Sequence, residues 1–164
     1  MPVREILLLG NPKLHEISVD VLESEFDILP EIIQDLHDTI IEFRNQYGVG
    51  RAIAAPQINV MKRIIYMHTD KSYVFVNPVL KDLSTEMIEL WDDCMCFPDL
   101  LVRVRRHRFC TIEYRDENWE PRIMMLKDDL SELLQHEYDH LDGILAVSRA
   151  IDGKSFSYRK QIQS

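Results

Sequence analysis

An α+β fold is what this 164-residue sequence predicts: a mostly antiparallel sheet packed around a central metal-binding HExxH helix, with an amphipathic helix towards the N-terminus. Three observations point there. Two segments place their apolar residues at helical spacing, several short runs between them are rich in β-branched and aromatic residues, and the second helical segment contains His136, Glu137 and His140 in the pattern H-E-x-x-H.

The first helical segment is "LPEIIQDLHDTIIEFRNQYG". Ile32, Ile33, Leu36, Ile40, Phe43 and Tyr47 recur on one face, Pro30 suits a first turn, and Gly48 suits a terminator. The runs "KRIIYMHT", "SYVFVNPVL", "TEMIELW", "LVRVRRHRFCTIEYR" and "RIMML" read as strands, separated by the turn-like "DKS" and "DENWEP". Helical spacing returns in "DDLSELLQHEYDHLDG", with Asp129 and Glu132 as a capping box and Gly143 as the stop. With no repeats or linkers, residues 1–164 are expected to form one domain.

Composition narrows the function. Asp and Glu outnumber Lys and Arg by 28 to 19, a net charge of -9, which argues against nucleic acid as a partner. The apolar run Ile6 to Leu9 is far too short for a signal peptide, and no stretch is expected to span a membrane, so the expected location is cytoplasmic. Three cysteines in such a chain suggest reduced thiols rather than a disulfide framework.

Four residues are about one helical turn, so His136 and His140 project from one face and can reach one ion, with Glu137 beside them to take a proton from water. Leu133, four residues before Glu137, lies on that face with Leu130 and Leu134 near it. Burying this stripe without a metal would strand three polar groups in the core. A catalytic metal site needs a third protein ligand. The longer metzincin pattern would place it at a position occupied by Ala146, and after His140 the chain holds no Glu, His or Cys. The ligand therefore lies upstream, and "WDDCMCFPD" offers Cys94 and Cys96, which share a face if the segment is a strand. The stretch "GVGRAIAA" also suggests a dinucleotide loop, but a helix precedes it and Pro56 interrupts the segment after it, so that context fails.

Three segments together resemble the peptide deformylases. "QHEYDHLDG" is similar to that family's Q-H-E-x-D-H-L-x-G, "DDCMCFP" to its E-G-C-L-S-x-P, and "GRAIAAPQ" to its G-x-G-L-A-A-P-Q, in the same order and spacing. The resemblance implies hydrolytic removal of the formyl group from the N-terminal methionine of nascent peptides. It implies one divalent metal held by Cys94, His136 and His140, commonly Fe2+, with Zn2+, Ni2+ or Co2+ able to replace it. Glu137 is then the general base, and Gln57 with the Met95 backbone N–H holds the developing oxyanion. It also implies that Arg51, Ala52, Glu132 and Leu133 lie at the substrate pocket. The short tail "GKSFSYRKQIQS" argues against the ribosome docking that a basic C-terminal helix provides in many relatives.

The sequence departs from the family at Ala52, where glycine is usual, at Asp92-Asp93, where Glu-Gly is usual, and at Cys96, where serine is usual. Arg51 and Glu132 replace apolar residues. Glu132, four residues before His136, either caps its helix or meets Arg51 as an ion pair that makes the pocket polar. Two other functions remain open: hydrolysis of another formylated or acylated amine, and a catalytically silent metalloprotein that binds peptide N-termini.

Overall fold

The computed structural model describes residues 3–162; Gln163 and Ser164, the last of the tail, and Met1 and Pro2 lie outside them. Helix α1 spans Leu29–Tyr47, with Pro30 in its first turn and Gly48 capping it at φ 74°, a left-handed conformation in which glycine carries no Cβ penalty. Leu29, Leu36, Ile40 and Phe43 are its buried stripe, packed with Ile53, Ile64 and Tyr66 of the neighbouring strands.

Those strands are β1 (Ala52–Ala54), β2 (Ile64–His68), β3 (Ser72–Lys81), β4 (Met87–Asp92), β5 (Leu100–His107), β6 (Phe109–Arg115) and β7 (Pro121–Lys127). Helix α2 (Asp129–Leu141), the short strand β8 (Phe156–Tyr158) and the one-turn helix α3 (Arg159–Ile162) complete the order. A five-stranded sheet runs β1-β2-β3-β6-β7 and a three-stranded sheet β4-β5-β8, with every pairing of these strands antiparallel. The run "LVRVRRHRFCTIEYR" is therefore two strands in different sheets, broken at Arg108. In β3, Asn77 at φ 50° interrupts the ladder, and its side chain exchanges two 2.8 Å hydrogen bonds with the backbone of Val21.

Helix α2 is buried almost throughout, from Ser131 to Gln135 on one turn and at His136, Glu137, Asp139 and His140 beyond. Leu133, Leu134 and Leu141 pack into the core beneath the five-stranded sheet with Phe75 and Ile112. The capping box expected of Asp129 and Glu132 is not formed. Asp128 occupies the cap without a side-chain bond, and the Glu132 carboxylate turns to Arg51. Burial decides this: a carboxylate nearly out of water takes a cation before a backbone N–H that α2 can leave to solvent. Gly143 comes after the helix at φ 73°, where an added Cβ would lie 2.4 Å from the His15 carbonyl oxygen. Among the described residues no helix is long and apolar enough to cross a membrane.

Candidate active site

Two elements meet at the site. Strand β4 ends at Asp92, and the chain then turns, with the Phe97 N–H donating to the Cys94 carbonyl at 3.0 Å. Against this turn α2 presents His136 and His140, one helical turn apart. Ligand atoms of Cys94, His136 and His140 lie within 4.8 Å of one another, and all three residues are buried. Cys96 is not among them, because Met95 and Cys96 form a turn rather than the strand that would align the two sulfurs.

The amide of Gln57, in the 3-10 turn Ala55–Ile58, is oriented by the end of β1 that precedes it. Its Oε1 accepts the Ala54 N–H at 2.8 Å, which leaves Nε2 to face the Cys96 and Cys94 sulfurs at 3.4 and 3.7 Å. A donor is thereby aimed into the site with no freedom to flip. Glu137 lies on the same side, with an Oε1 that is buried and has no hydrogen-bond partner.

Asp92, which replaces the family's glutamate, accepts from His136 Nδ1 at 2.8 Å and from Arg106 Nη2 at 2.9 Å. Arg106 in turn donates to Asp139 at 2.9 Å, and Arg149 also holds Asp139 at 2.9 Å. Burial by itself would raise the Asp92 carboxyl, but His136 and Arg106 beside it hold it down to about 2. A carboxylate on one ring nitrogen fixes the tautomer and leaves the other nitrogen for an ion. The sequence marks Asp92 as a departure from the family pattern and assigns it no role on His136, although a ligand histidine calls for such a partner and Asp92 stands two residues before Cys94.

The donor set fits a metal ion. Burial pushes the Cys94 thiol well up and Glu137 up to about 7, and pushes His140 well down, so the pocket is hostile to its own thiolate and carboxylate. A bound cation removes that penalty by pairing with the thiolate and lowering the pKa of whatever it touches. One thiolate and two imidazoles suit several late transition metals.

The site opens into a cleft of about 630 Å3 whose wall includes Arg51, Ala52, Met95 and Leu133. Glu132 is not on that wall. It stands behind Arg51 and holds its Nη2 at 2.9 Å, the partner choice left open by the sequence. Burial raises the Glu132 carboxyl, and Arg51 opposes the rise. Ala52 and Asp93, the two glycine replacements, both have negative φ, so neither strains the backbone. Asp93 uses its side chain to pair with Arg159 of α3 at 2.7 Å.

Fold and site together define a metal-dependent hydrolase. The profile of the family described as Polypeptide deformylase matches residues 3–155. The chain belongs to that family. A peptide deformylase of Leptospira biflexa is 32% identical over 178 residues, covering 100% of this chain and 97% of its own. One from Heliobacterium modesticaldum is 36% identical over 150 residues, covering 91% and 95%. Among solved structures, the Synechococcus elongatus peptide deformylase in complex with actinonin superposes with a TM-score of 0.85 at 25% identity, covering 93% of this chain and 81% of that one. The Met-Ala-Ser-bound enzyme of Acinetobacter baumannii gives 0.82 at 29%, covering 90% and 98%. Membership carries the family's reaction, metal-dependent hydrolysis of the N-formyl group of nascent peptides, and the Cys/His/His cluster goes with one metal ion.

Proposed function

We propose that this chain deformylates peptides with Glu137 as general base, with Gln57 and the Met95 N–H as oxyanion donors, and with Cys94, His136 and His140 holding one Fe2+ ion. It acts as one domain in the cytoplasm on peptides beginning with formyl-methionine or a smaller or polar first residue. The supporting observation is the buried, unpartnered Glu137 oxygen beside the Cys/His/His cluster, since a buried acceptor without a donor awaits a proton or a ligand.

The metal, when bound, supplies Lewis acidity, which polarises the formyl oxygen and makes water easy to deprotonate near neutral pH. Glu137 takes a proton from water as the water oxygen bonds to the formyl carbon. Gln57 Nε2 and the Met95 N–H donate to the formyl oxygen as it gains charge. Glu137 then returns its proton to the amine nitrogen as the carbon–nitrogen bond breaks, and formate leaves. Asp92 keeps the His136 ring in place throughout.

Formate release from formyl-Met-Ala-Ser by anaerobically prepared, metal-loaded protein tests the proposal directly. Full metal occupancy without turnover on any formyl peptide would favour a silent binder of peptide N-termini. Gln57→Ala is expected to lower kcat by about 10-fold to 100-fold with a smaller change in KM, because its donor is needed most as charge develops. Steady-state kinetics on formyl-Met-Ala-Ser checks this, and a loss confined to KM would remove Gln57 from the oxyanion site.

The Arg51–Glu132 pair favours a particular form of this function. Arg51, held by Glu132 behind it, shares the cleft wall with Ala52 and Leu133 and makes the pocket for the first side chain more polar than a wholly apolar wall would be. In an apolar pocket each methylene contributes roughly 1–3 kcal/mol of discrimination, so the preference for methionine is expected to be shallower here. A panel of formyl peptides varied at the first residue, run on wild type and on the double variant Arg51→Ile with Glu132→Ile, measures it. The double variant should sharpen the preference for methionine; an unchanged profile would put both residues outside the pocket.

A further inference from the structure

Three arginines, Arg44, Arg51 and Arg159, line the cleft of this protein of net charge -9, and one of them has no ion pair among the described residues. Arg51 is paired with Glu132 and Arg159 with Asp93. Arg44, in the last turn of α1 and also on the cleft wall, takes part in no ion pair among the described residues. Its Nε donates to the Gly50 carbonyl at 2.6 Å, and its Nη2 donates to the His68 carbonyl. A guanidinium has five N–H donors in a rigid plane, so these two bonds fix the group and leave three N–H donors for a further acceptor. Partial burial, the Arg44 charge and His37 together lower the nearby His68, which disfavours a second cation beside Arg44.

The backbone places this cation along the path of a peptide. Among the described residues β1 is an edge strand, paired only with β2; on its other edge the Ala54 N–H is taken by Gln57, which leaves the Ala52 end to accept an extended chain. Gly50 leads into β1 at φ 130°, and a Cβ there would lie 2.9 Å from Met95, whose side chain lines the same wall. A peptide lying along this edge with its formyl group at Glu137 passes Gly50, the residue whose carbonyl Arg44 holds.

We propose that Arg44 is a specificity-determining residue that selects peptides with an acidic side chain shortly after the first residue, through a charge-assisted bond from its remaining guanidinium N–H donors. This rests on the reading of the chain as a peptide deformylase, and it names the substrate class that this deformylase prefers. The function of the two carbonyl bonds is to pre-orient the cation, so that little freedom is lost when a carboxylate arrives.

The test separates recognition from turnover by using unformylated peptides with amidated C-termini: Met-Glu-Ser, Met-Gln-Ser and Met-Lys-Ser, and the matching set with the charge at the third residue. Their dissociation constants for zinc-loaded protein are measured by calorimetry at low and high salt. In one of the two sets the Glu peptide is expected to bind about fivefold tighter than the Gln peptide, and the Lys peptide weaker still, with the spread shrinking in salt. Arg44→Gln should bring the three together, and Arg44→Lys should keep part of the preference. A crystal structure of the wild-type complex with the favoured Glu peptide reads the same contact without a variant that might not fold. Equal binding within both sets, a spread that survives Arg44→Gln, or a Glu carboxylate seated away from Arg44 overturns the proposal. Formate release is measured in parallel. Its failure with the spread intact counts against deformylation alone, whereas normal release with no spread counts against Arg44 alone.

Discussion

Cys94→Ala is expected to abolish tight metal binding, taking the chain from one metal ion to substoichiometric occupancy after gel filtration. The cluster offers three candidate protein ligands, and losing a partner that merely orients a ligand already costs about 10-fold to 100-fold in affinity, so loss of the sulfur itself should cost at least that. Cys96 is not placed to substitute, since its sulfur lies in the turn against Gln57 rather than with His136 and His140. Cys96→Ala should accordingly retain the ion. Elemental analysis of both variants with a competing chelator decides the matter: equally tight stoichiometric metal in Cys94→Ala would reject the ligand assignment, and loss in Cys96→Ala alone would transfer it.

Glu137→Ala should keep the metal and lose turnover by about two orders of magnitude or more, the usual contribution of a positioned general base. Its free oxygen makes no hydrogen bond within the protein, so the substitution strands no donor and leaves the Asp92–His136 contact in place. Metal content and melting temperature near those of wild type, alongside the lost activity, would separate a missing base from a missing fold. Formate release at the wild-type rate would exclude Glu137 from proton transfer.

Much of this was legible in the sequence because it is written over short distances. The 3.6-residue period of α2 puts His136 and His140 on one face with Glu137 adjacent, whatever surrounds them. Pro30 and Gly48 bracket α1 for reasons local to their own backbones. The strand-like runs were likewise readable, although β1 and β8, three residues each, were too short to leave a pattern. Nor did periodicity reveal that one run serves two sheets, because alternation is the same on either side of Arg108.

What the sequence by itself determined is the chemistry available: two imidazoles and a carboxylate on one helical face, and a thiol upstream in the family's motif order. What only the tertiary structure decided is which groups meet. It seated Cys94 rather than Cys96 with the histidines, and it gave Asp92 to His136 across 44 residues. It turned Glu132 from a cap on its own helix to Arg51, 81 residues away, and among the described residues it gave Arg44 carbonyls rather than a counter-charge as partners. Local spacing is set by the geometry of the backbone, and a few residues suffice to show it. The choice among partners is set by burial, because a carboxylate or guanidinium taken out of water must find a counter-charge or an acceptor wherever the packed chain happens to supply one.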